Sequence, residues 1–162
     1  MSRSRLARAL GASLIAGALV VGCRDVAAPN EDPAATTYAA SLGVNVSQMT
    51  KTSSGLYYQD IVVGAGKAAA KDSVVKVYYT GQLTTGHTFD SNRGKTPFQF
   101  TIGAGSVIAG WDEGLIAGTP MRVGGRRRLV IPPALGYGSR TSGSIPAGSV
   151  LVFDIELVAV GI

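Results

Sequence analysis

From Gly55 to the end of the chain, short runs of β-branched and aromatic residues alternate with glycine-containing turns. Such runs predict strands, because successive side chains of an extended chain point to opposite faces of a sheet. Strands are predicted at roughly 56–63, 73–83, 97–102, 126–131 and 150–160. We interpret these runs as the strands of an antiparallel sheet with one apolar face.

The alternation also predicts which side chains face the core. On three strands the predicted inward residues are Val75, Val77 and Tyr79; Phe98, Phe100 and Ile102; and Leu151, Phe153, Ile155 and Leu157. These strands deliver aromatic rings to one layer of the protein. An antiparallel sheet with one apolar face needs a second element to cover that face.

The covering element is predicted to be a helix from Val107 to about Ala117. Trp111 and Leu115 lie on one side of it at helical spacing. Gly118 and Pro120 end it. The sequence therefore predicts an α+β fold in which one short helix lies across an antiparallel sheet.

The first residues have the pattern of an export signal. Three arginines within the first eight residues precede an apolar run from Leu10 to Val21, which ends at Gly22. The run is shorter than the roughly 20 residues that cross a bilayer as a stable helix. We expect a cleaved signal peptide at 1–22 rather than a permanent membrane span.

Cys23 follows this run directly and is the only cysteine. The segment Leu19-Val20-Val21-Gly22-Cys23 resembles the lipobox of bacterial lipoproteins, in which the cysteine is acylated and becomes the first mature residue. This predicts lipidation at Cys23 and a protein anchored in the cell envelope, at the outer membrane or periplasmic face in a Gram-negative host. An intermolecular disulfide or an unused thiol are the alternatives.

Residues 23–51 mix Ala, Pro, Asn, Asp and Thr without a sustained apolar period, which is typical of a flexible spacer. A short helix around Ala34 to Leu42 is compatible with the pattern. The domain is predicted to occupy 52–162, and the short spacer offers no long dimerisation helix, so we expect a monomer.

The charge of the chain argues against nucleic acid as a partner. The formal net charge is +5, but removal of a signal containing three arginines leaves twelve basic and ten acidic residues, a net charge of +2. The one basic cluster, 126–128, falls on a predicted strand. There Arg127 shares a face with Leu129 and Ile131 while Arg126 and Arg128 face water, so we expect Arg127 to lie near a sheet end with a carboxylate partner.

Several kinds of catalytic site cannot be written from these residues. With one histidine and one cysteine, neither an HExxH site nor a zinc cluster can be assembled, so no metal and no cofactor are expected. His87 falls at a predicted hairpin tip and is interpreted as an exposed bystander. Neither a GxSxG nor a GxxxxGK motif is present, and Gly110 comes too late after Gly103 and Gly105 for GxGxxG.

Five short segments occur in an order and spacing that resemble the FKBP-type peptidyl-prolyl isomerases. They are VYYTG at 77–81, FDSN at 89–92, VIAGW at 107–111, IPP at 131–133 with Tyr137-Gly138, and LVFDIEL at 151–157. The resemblance extends from about Gly55 to Leu157. It implies a five- to six-stranded antiparallel sheet wrapped around one short helix, with an apolar pocket between them.

The resemblance also implies roles for individual residues. The catalytic residues would be Tyr79, Asp90, Ile108, Trp111, Tyr137 and Phe153, and the substrate-binding residues Phe89, Phe98, Val107 and Ile145. Trp111 would form the pocket floor, and the Ile108 N–H and the Tyr137 hydroxyl would donate hydrogen bonds to ligand carbonyls. The implied ligands are proline-containing peptides, unfolded exported proteins and the macrolides tacrolimus and rapamycin.

Each of these residues also has a purely structural interpretation. Aromatic residues such as Tyr79, Phe153 and Trp111 would be buried in any sheet covered by a helix. Asp90 discriminates better, because it either belongs to the pocket or caps a turn. A shortened loop from Ser139 to Ala147, with Ser144 in place of an apolar residue, departs from some family members at the position that bears on macrolide affinity.

The function that the resemblance implies is peptidyl-prolyl cis–trans isomerisation that assists the folding of exported proteins, by non-covalent twisting of the X-Pro amide. A non-catalytic peptide-binding or chaperone module of the cell envelope is the alternative. A third hypothesis is a structural lipoprotein, without catalytic activity, that binds a partner in the cell envelope.

Overall fold

The computed structural model describes residues 32–161. In that range the strands are β1 (Thr50–Lys51), β2 (Tyr57–Val62), β3 (Val74–Leu83), β4 (Thr88–Ser91), β5 (Phe98–Thr101), β6 (Arg126–Ile131) and β7 (Leu151–Val160), and the helix α1 is Ala109–Gly114. Short 3₁₀ turns lie at Ala40–Leu42, Val46–Gln48 and Pro133–Leu135. The predicted signal peptide at 1–22 and the predicted lipidation site Cys23 lie outside the described residues.

The seven strands form one antiparallel sheet, in which six follow the order β1-β2-β6-β7-β3-β4 and β5 also pairs with β3. One edge of β3 pairs with β7 along most of its length. On the other edge, β5 pairs with Val74–Val77 and β4 pairs with Thr80–Gln82. The predicted antiparallel sheet with one short helix is confirmed, with β1 and β4 as two short strands beyond the five predicted runs.

Helix α1 is shorter than the predicted 107–117. Ile108 is extended, with φ −62° and ψ 146°, so the helix begins only after it. At the other end the Ile116 N–H donates to the Glu113 carbonyl three residues earlier, which tightens the last turn. The chain therefore leaves regular α geometry after Gly114, although hydrogen-bonded turns continue to Ala117.

Two glycines let α1 lie close against β6. A Cβ atom on Gly110 would stand 2.6 Å from Ile131 Cγ2, and one on Gly114 would stand 2.5 Å from Leu129 Cδ1. Both distances are below any real carbon contact, so a larger residue would push the helix off the sheet. Glycine has a low helix propensity, but at these two positions it allows the helix to pack closely against the sheet.

The main hydrophobic core lies between α1 and one face of the sheet. Its most deeply buried members, each 0% exposed, include Leu56, Val75, Val77, Ile102, Leu115, Leu129, Ile131, Leu151, Ile155 and Leu157. The predicted inward faces of β3 and β7 are therefore confirmed. We call this cluster the inner core.

The opposite face of the sheet is covered by residues 38–49, which we call the strap. Leu42 and Met49 of the strap are buried with Tyr57, Val130, Val150 and Val152 in a second apolar cluster, the outer core. At its start, the Ala39 N–H donates to the Thr84 carbonyl at 2.8 Å. The predicted flexible spacer is therefore folded against the domain over this stretch, since its apolar residues cover valines that would otherwise face water, and the expected helix at 34–42 is reduced to the turn Ala40–Leu42.

Arg127 is 1% exposed and closes the end of α1. It donates to both carboxylate oxygens of Asp60, at 2.7 and 2.9 Å, which confirms the predicted acidic partner. Its remaining N–H groups donate to the carbonyls of Gly114, Ala117 and Thr119. A planar five-donor guanidinium fits this set because every buried donor finds an acceptor.

Arg128 was expected to face water. It lies on the outer face of β6 and donates two hydrogen bonds to Asp154 of β7, at 2.6 and 2.7 Å. It also donates to the carbonyl of Leu42. The strap is therefore held to the sheet by a hydrogen bond as well as by apolar contacts. The alternation of β6 could not show this, because the partners of Arg128 lie on β7 and on the strap.

Candidate active site

The candidate site lies where α1 crosses the sheet and is floored by aromatic rings. Trp111 of α1 is 4% exposed and has ring centroids at 4.9 Å from Tyr79, 5.2 Å from Phe153 and 6.2 Å from Phe98. All three pairs are edge-to-face, the arrangement that aromatic quadrupoles favour. The four rings therefore pack against one another as one continuous floor.

Above this floor is a cavity of about 200 Å³ that opens to solvent. It is lined by Tyr79, Phe89, Asp90, Phe98, Ser106, Val107, Ile108, Trp111, Tyr137 and Phe153. These residues come from β3, β4, β5, β7, α1, the loop before α1 and the connection between β6 and β7. The cavity is apolar with a few polar groups, which is typical of a site for a small or partly apolar ligand.

A glycine makes room for the wall of this cavity. A Cβ atom on Gly81 of β3 would stand 2.6 Å from a ring atom of Phe153 and 2.7 Å from the ring of Phe89. Those two rings meet edge to face, with centroids 5.5 Å apart. The missing side chain at Gly81 therefore allows two aromatic residues to share one wall.

Asp90 lies exposed at the rim and is held by Tyr79. The Tyr79 hydroxyl donates to Asp90 Oδ2 at 2.6 Å. Burial, and then this hydrogen bond, raise the pKa of Tyr79 above its ordinary value. Tyr79 therefore stays protonated and acts as a donor that fixes the direction of the Asp90 carboxylate.

Two hydrogen-bond donors stand at the mouth of the cavity. Ile108 is extended at the N-terminus of α1, where backbone N–H groups have no partner within the helix. Tyr137, which is 38% exposed, follows the 3₁₀ turn Pro133–Leu135. Both residues line the cavity. A carbonyl-bearing chain in the cavity could accept hydrogen bonds from both.

Of the predicted site residues, Ile145 does not line the cavity. It is 5% exposed and belongs to the inner core, and its backbone exchanges hydrogen bonds with Ser142 across a tight turn at Gly143, where φ is +56°. The turn directs the side chain into the core instead of toward the mouth of the cavity. Ser106, which the sequence did not single out, lines the cavity instead.

Metal chemistry finds no support in the part of the chain that the structure describes. Between residues 32 and 161 no group of three or more His, Cys, Asp or Glu side chains could hold a metal ion. His87 is exposed at the β3–β4 hairpin, whose closing bond runs from the Leu83 N–H to the His87 carbonyl. Over the same range no helix is long and apolar enough to cross a membrane.

Comparison with known proteins agrees with this geometry. The model of the FKBP-type peptidyl-prolyl cis-trans isomerase family matches residues 65–158. The chain belongs to this family.

Curated FKBP-type relatives differ in how much of their length the chain covers. It is 44% identical over 142 residues to the chloroplastic peptidyl-prolyl cis-trans isomerase FKBP13 of Arabidopsis thaliana, covering 75% of this chain and 68% of that one. It is 46% identical over 120 residues to FK506-binding protein 4 of Chaetomium thermophilum, covering 74% of this chain but only 23% of that one. The chain thus spans about a quarter of the longer relatives.

Solved FKBP structures have the same fold. The crystal structure of AtFKBP13 superposes with a TM-score of 0.65 at 45% identity, over 69% of this chain and 98% of that one. FkpA from Escherichia coli superposes with a TM-score of 0.62 at 41% identity, over 70% of this chain and 51% of that one. The FKBP fold is therefore shared with both a chloroplastic and a bacterial relative.

Proposed function

We propose that this protein catalyses cis–trans isomerisation of peptidyl-prolyl bonds without forming a covalent intermediate. The observation that carries the proposal is the cavity itself, an aromatic floor of Trp111, Tyr79 and Phe153 with Asp90 and Tyr137 at its rim. Membership of the isomerase family supports it. The lining residues include no Cys and no Ser–His pair, and among residues 32–161 no group of three or more His, Cys, Asp or Glu side chains could hold a metal ion.

The geometry suits a reaction in which no bond is broken. The X-Pro bond resists rotation because twisting destroys amide resonance, at a barrier of about 20 kcal/mol. The planar amide is more polar than the twisted one. An apolar cavity that excludes water therefore destabilises the planar ground state more than the twisted transition state, and the barrier falls.

The polar groups at the rim would orient the peptide. The Ile108 N–H and the Tyr137 hydroxyl donate to carbonyls on either side of the proline, which fixes the bond over the Trp111 floor. The Asp90 carboxylate, held by Tyr79 at 2.6 Å, keeps local polar groups in place or interacts with the twisted amide. Phe89, Phe98 and Val107 form the apolar walls.

The direct test is proline-limited refolding of a test protein in the presence of residues 32–162, with and without rapamycin. Spontaneous exchange takes about 10–100 s, so acceleration is easily measured. We expect acceleration that rapamycin abolishes. Acceleration that rapamycin does not inhibit would support the isomerase activity and would show that the macrolide is not a ligand. A folded fragment that gives no acceleration would favour the non-catalytic peptide-binding module.

We further propose that the protein is exported and anchored by lipid at Cys23, and that its clients are unfolded exported proteins. The support is the sequence alone: the arginines, the apolar run and the cysteine within the first 23 residues. The Cys23→Ala variant should leave the membrane fraction. Continued tight retention of that variant with an intact signal would contradict the anchor, and metabolic labelling with a fatty acid separates lipidation from other attachment.

A monomer is proposed for the domain. A concentration series by analytical ultracentrifugation tests it, with a single species of about the chain's mass as the expected result. A dimer at micromolar concentration would overturn it.

A further inference from the structure

The edge of β3 that carries Tyr79 has a gap in its pairing. On that edge β5 pairs with Val74–Val77 and β4 pairs with Thr80–Gln82, so no strand residue stands opposite Tyr79. Alternate residues of a strand direct their N–H and C=O groups to the same edge, which places the backbone groups of Tyr79 in the gap. Partly buried backbone groups of this kind need partners.

The side-chain amide of Asn92 fills this gap. The Tyr79 N–H donates to Asn92 Oδ1 at 2.8 Å, and Asn92 Nδ2 donates to the Val77 carbonyl at 3.0 Å. The Tyr79 carbonyl accepts from the Asn92 backbone N–H at 3.3 Å and from Ser91 Oγ at 2.9 Å. The side chain thus supplies one donor and one acceptor where a peptide group of a neighbouring strand would supply them.

Only one orientation of the amide satisfies these partners. The Tyr79 N–H can only donate, and the Val77 carbonyl can only accept, so the oxygen of Asn92 faces the first and the nitrogen faces the second. The second N–H of the same nitrogen donates to the Thr96 carbonyl at 3.3 Å. An aspartate would keep the acceptor and lose both donors.

These bonds connect Asn92 to the residues that form the cavity. Asp90 lies two residues before Asn92, and Phe98 follows the loop that the Thr96 bond closes. The Tyr79 ring, fixed through its backbone, stands 4.9 Å from Trp111 and donates to Asp90 at 2.6 Å. Asn92 itself does not line the cavity.

We propose that Asn92 is a positioning residue of the active site: its side-chain amide completes the edge of β3 between β4 and β5 and thereby sets the Tyr79 hydroxyl against Asp90. The proposal rests on the isomerase activity proposed above. It differs from a general contribution to folding, because it requires the effect of Asn92 on turnover to pass through Tyr79.

The experiment is a double-mutant cycle on kcat/KM with Asn92→Ala, Tyr79→Phe and the double variant. Loss of the positioned hydroxyl is expected to lower kcat/KM about tenfold in each single variant, the size of one hydrogen bond made at the site. In the double variant we expect little further loss, because Tyr79→Phe has already removed the group that Asn92 positions. Asn45→Ala is the matched control, since Asn45 also bonds nearby polar groups, Ser47 N–H and Oγ, but lies in the strap.

A second readout does not depend on turnover. Trp111 is the only tryptophan, so its fluorescence reports the floor of the cavity. Asn92→Ala should change the Trp111 emission spectrum of the folded protein, and Asn45→Ala should not. If Asn92→Ala fails to fold, the similarly shaped Asn92→Leu variant, which lacks both the acceptor and the donors, takes its place in the cycle.

Three results overturn the proposal. They are wild-type kcat/KM in the folded Asn92 variant, losses that multiply fully in the double variant, and an unchanged Trp111 spectrum. An inactive wild-type protein would instead contradict the proposed isomerase function, and the Trp111 spectrum would still test whether Asn92 positions the cavity residues.

Discussion

The two faces of the sheet are both covered by apolar residues, but they are covered differently. The inner core is assembled from residues far apart in the chain and remains open at one end, where the aromatic cavity lies. The outer core is smaller and is covered by the strap, one continuous segment that precedes β2. At the mouth of the cavity Phe98 is 41% exposed, whereas the strap leaves Val130 and Val152 at 0% and 1%.

The inner face therefore serves both stability and ligand binding, whereas the outer face serves stability alone. Exposing an aromatic residue such as Phe98 loses burial that would otherwise stabilise the fold. The outer core can offset part of that loss, because its residues are remote from the cavity and can be fully buried without closing the ligand site. We therefore expect substitutions on the inner face to change activity and stability together, and substitutions on the outer face to change stability alone.

The largest effect is expected for Trp111→Ala, which breaks the floor of the inner face. Removing this buried ring should lower the free energy of unfolding by about 3 to 5 kcal/mol and abolish most isomerase activity. Urea denaturation and the refolding assay measure the two effects. A variant that keeps wild-type stability would show that the floor contributes nothing to the inner core.

The comparison is sharpest with Leu42→Ala in the strap. Leu42 is 4% exposed in the outer core, and its truncation should lower the free energy of unfolding by about 2 to 3 kcal/mol. The kcat/KM of the folded fraction should stay at the wild-type value. A lower kcat/KM under conditions in which the variant is still fully folded would mean that the two faces are coupled.

Asp90→Ala tests the rim of the cavity, where chemistry should change more than stability. Because Asp90 is exposed, the free energy of unfolding should fall by no more than about 1 kcal/mol. The kcat/KM should fall about tenfold, the equivalent of one lost hydrogen bond in the transition state. If unfolding were as strongly affected as in Trp111→Ala, Asp90 would be a structural residue.

The smallest effect is a pH dependence that Tyr79 introduces. Its pKa is raised in the folded protein from the ordinary value of 10.0, so folding favours its protonated form. That contribution to stability is complete below pH 10 and is lost as the pH rises above it, because only the unfolded chain then releases the proton. The difference in stability between wild type and Tyr79→Phe should shrink above pH 10, measured by urea denaturation at several pH values. A difference that stays constant would contradict the raised pKa.

Much of the inner face could be predicted from the sequence, because alternation of apolar residues directly reports which side of a strand is buried. Val75, Val77 and the apolar residues of β7 are examples. The site residues came instead from the resemblance to the FKBP-type isomerases, which implied ten, and nine of these line the cavity. The exception, Ile145, depends on the turn at Gly143, whose direction no periodic pattern reports.

The outer face could not be predicted in the same way. The apolar residues of the strap have no regular spacing. Leu42 and Val46 lie in two separate 3₁₀ turns, and Met49 comes directly after the second turn. Its composition is that of a spacer. The second apolar face of β6 and β7, with Val130 and Val152, was the signal that some segment had to cover it. The asparagine at the β3 edge was missed because its partners are backbone groups.

Because the strap is docked, the described part of the domain begins only a few residues after Cys23. Pro33 already accepts a hydrogen bond from the Tyr38 hydroxyl at 2.8 Å. The nine residue-to-residue steps from Cys23 to Asp32 can span at most about 30 Å, which is close to the thickness of a bilayer's hydrocarbon core. If Cys23 carries lipid, as proposed above, a connection of that length would keep the enzyme at the membrane surface. Its reach would extend to chains emerging there and not to those already released.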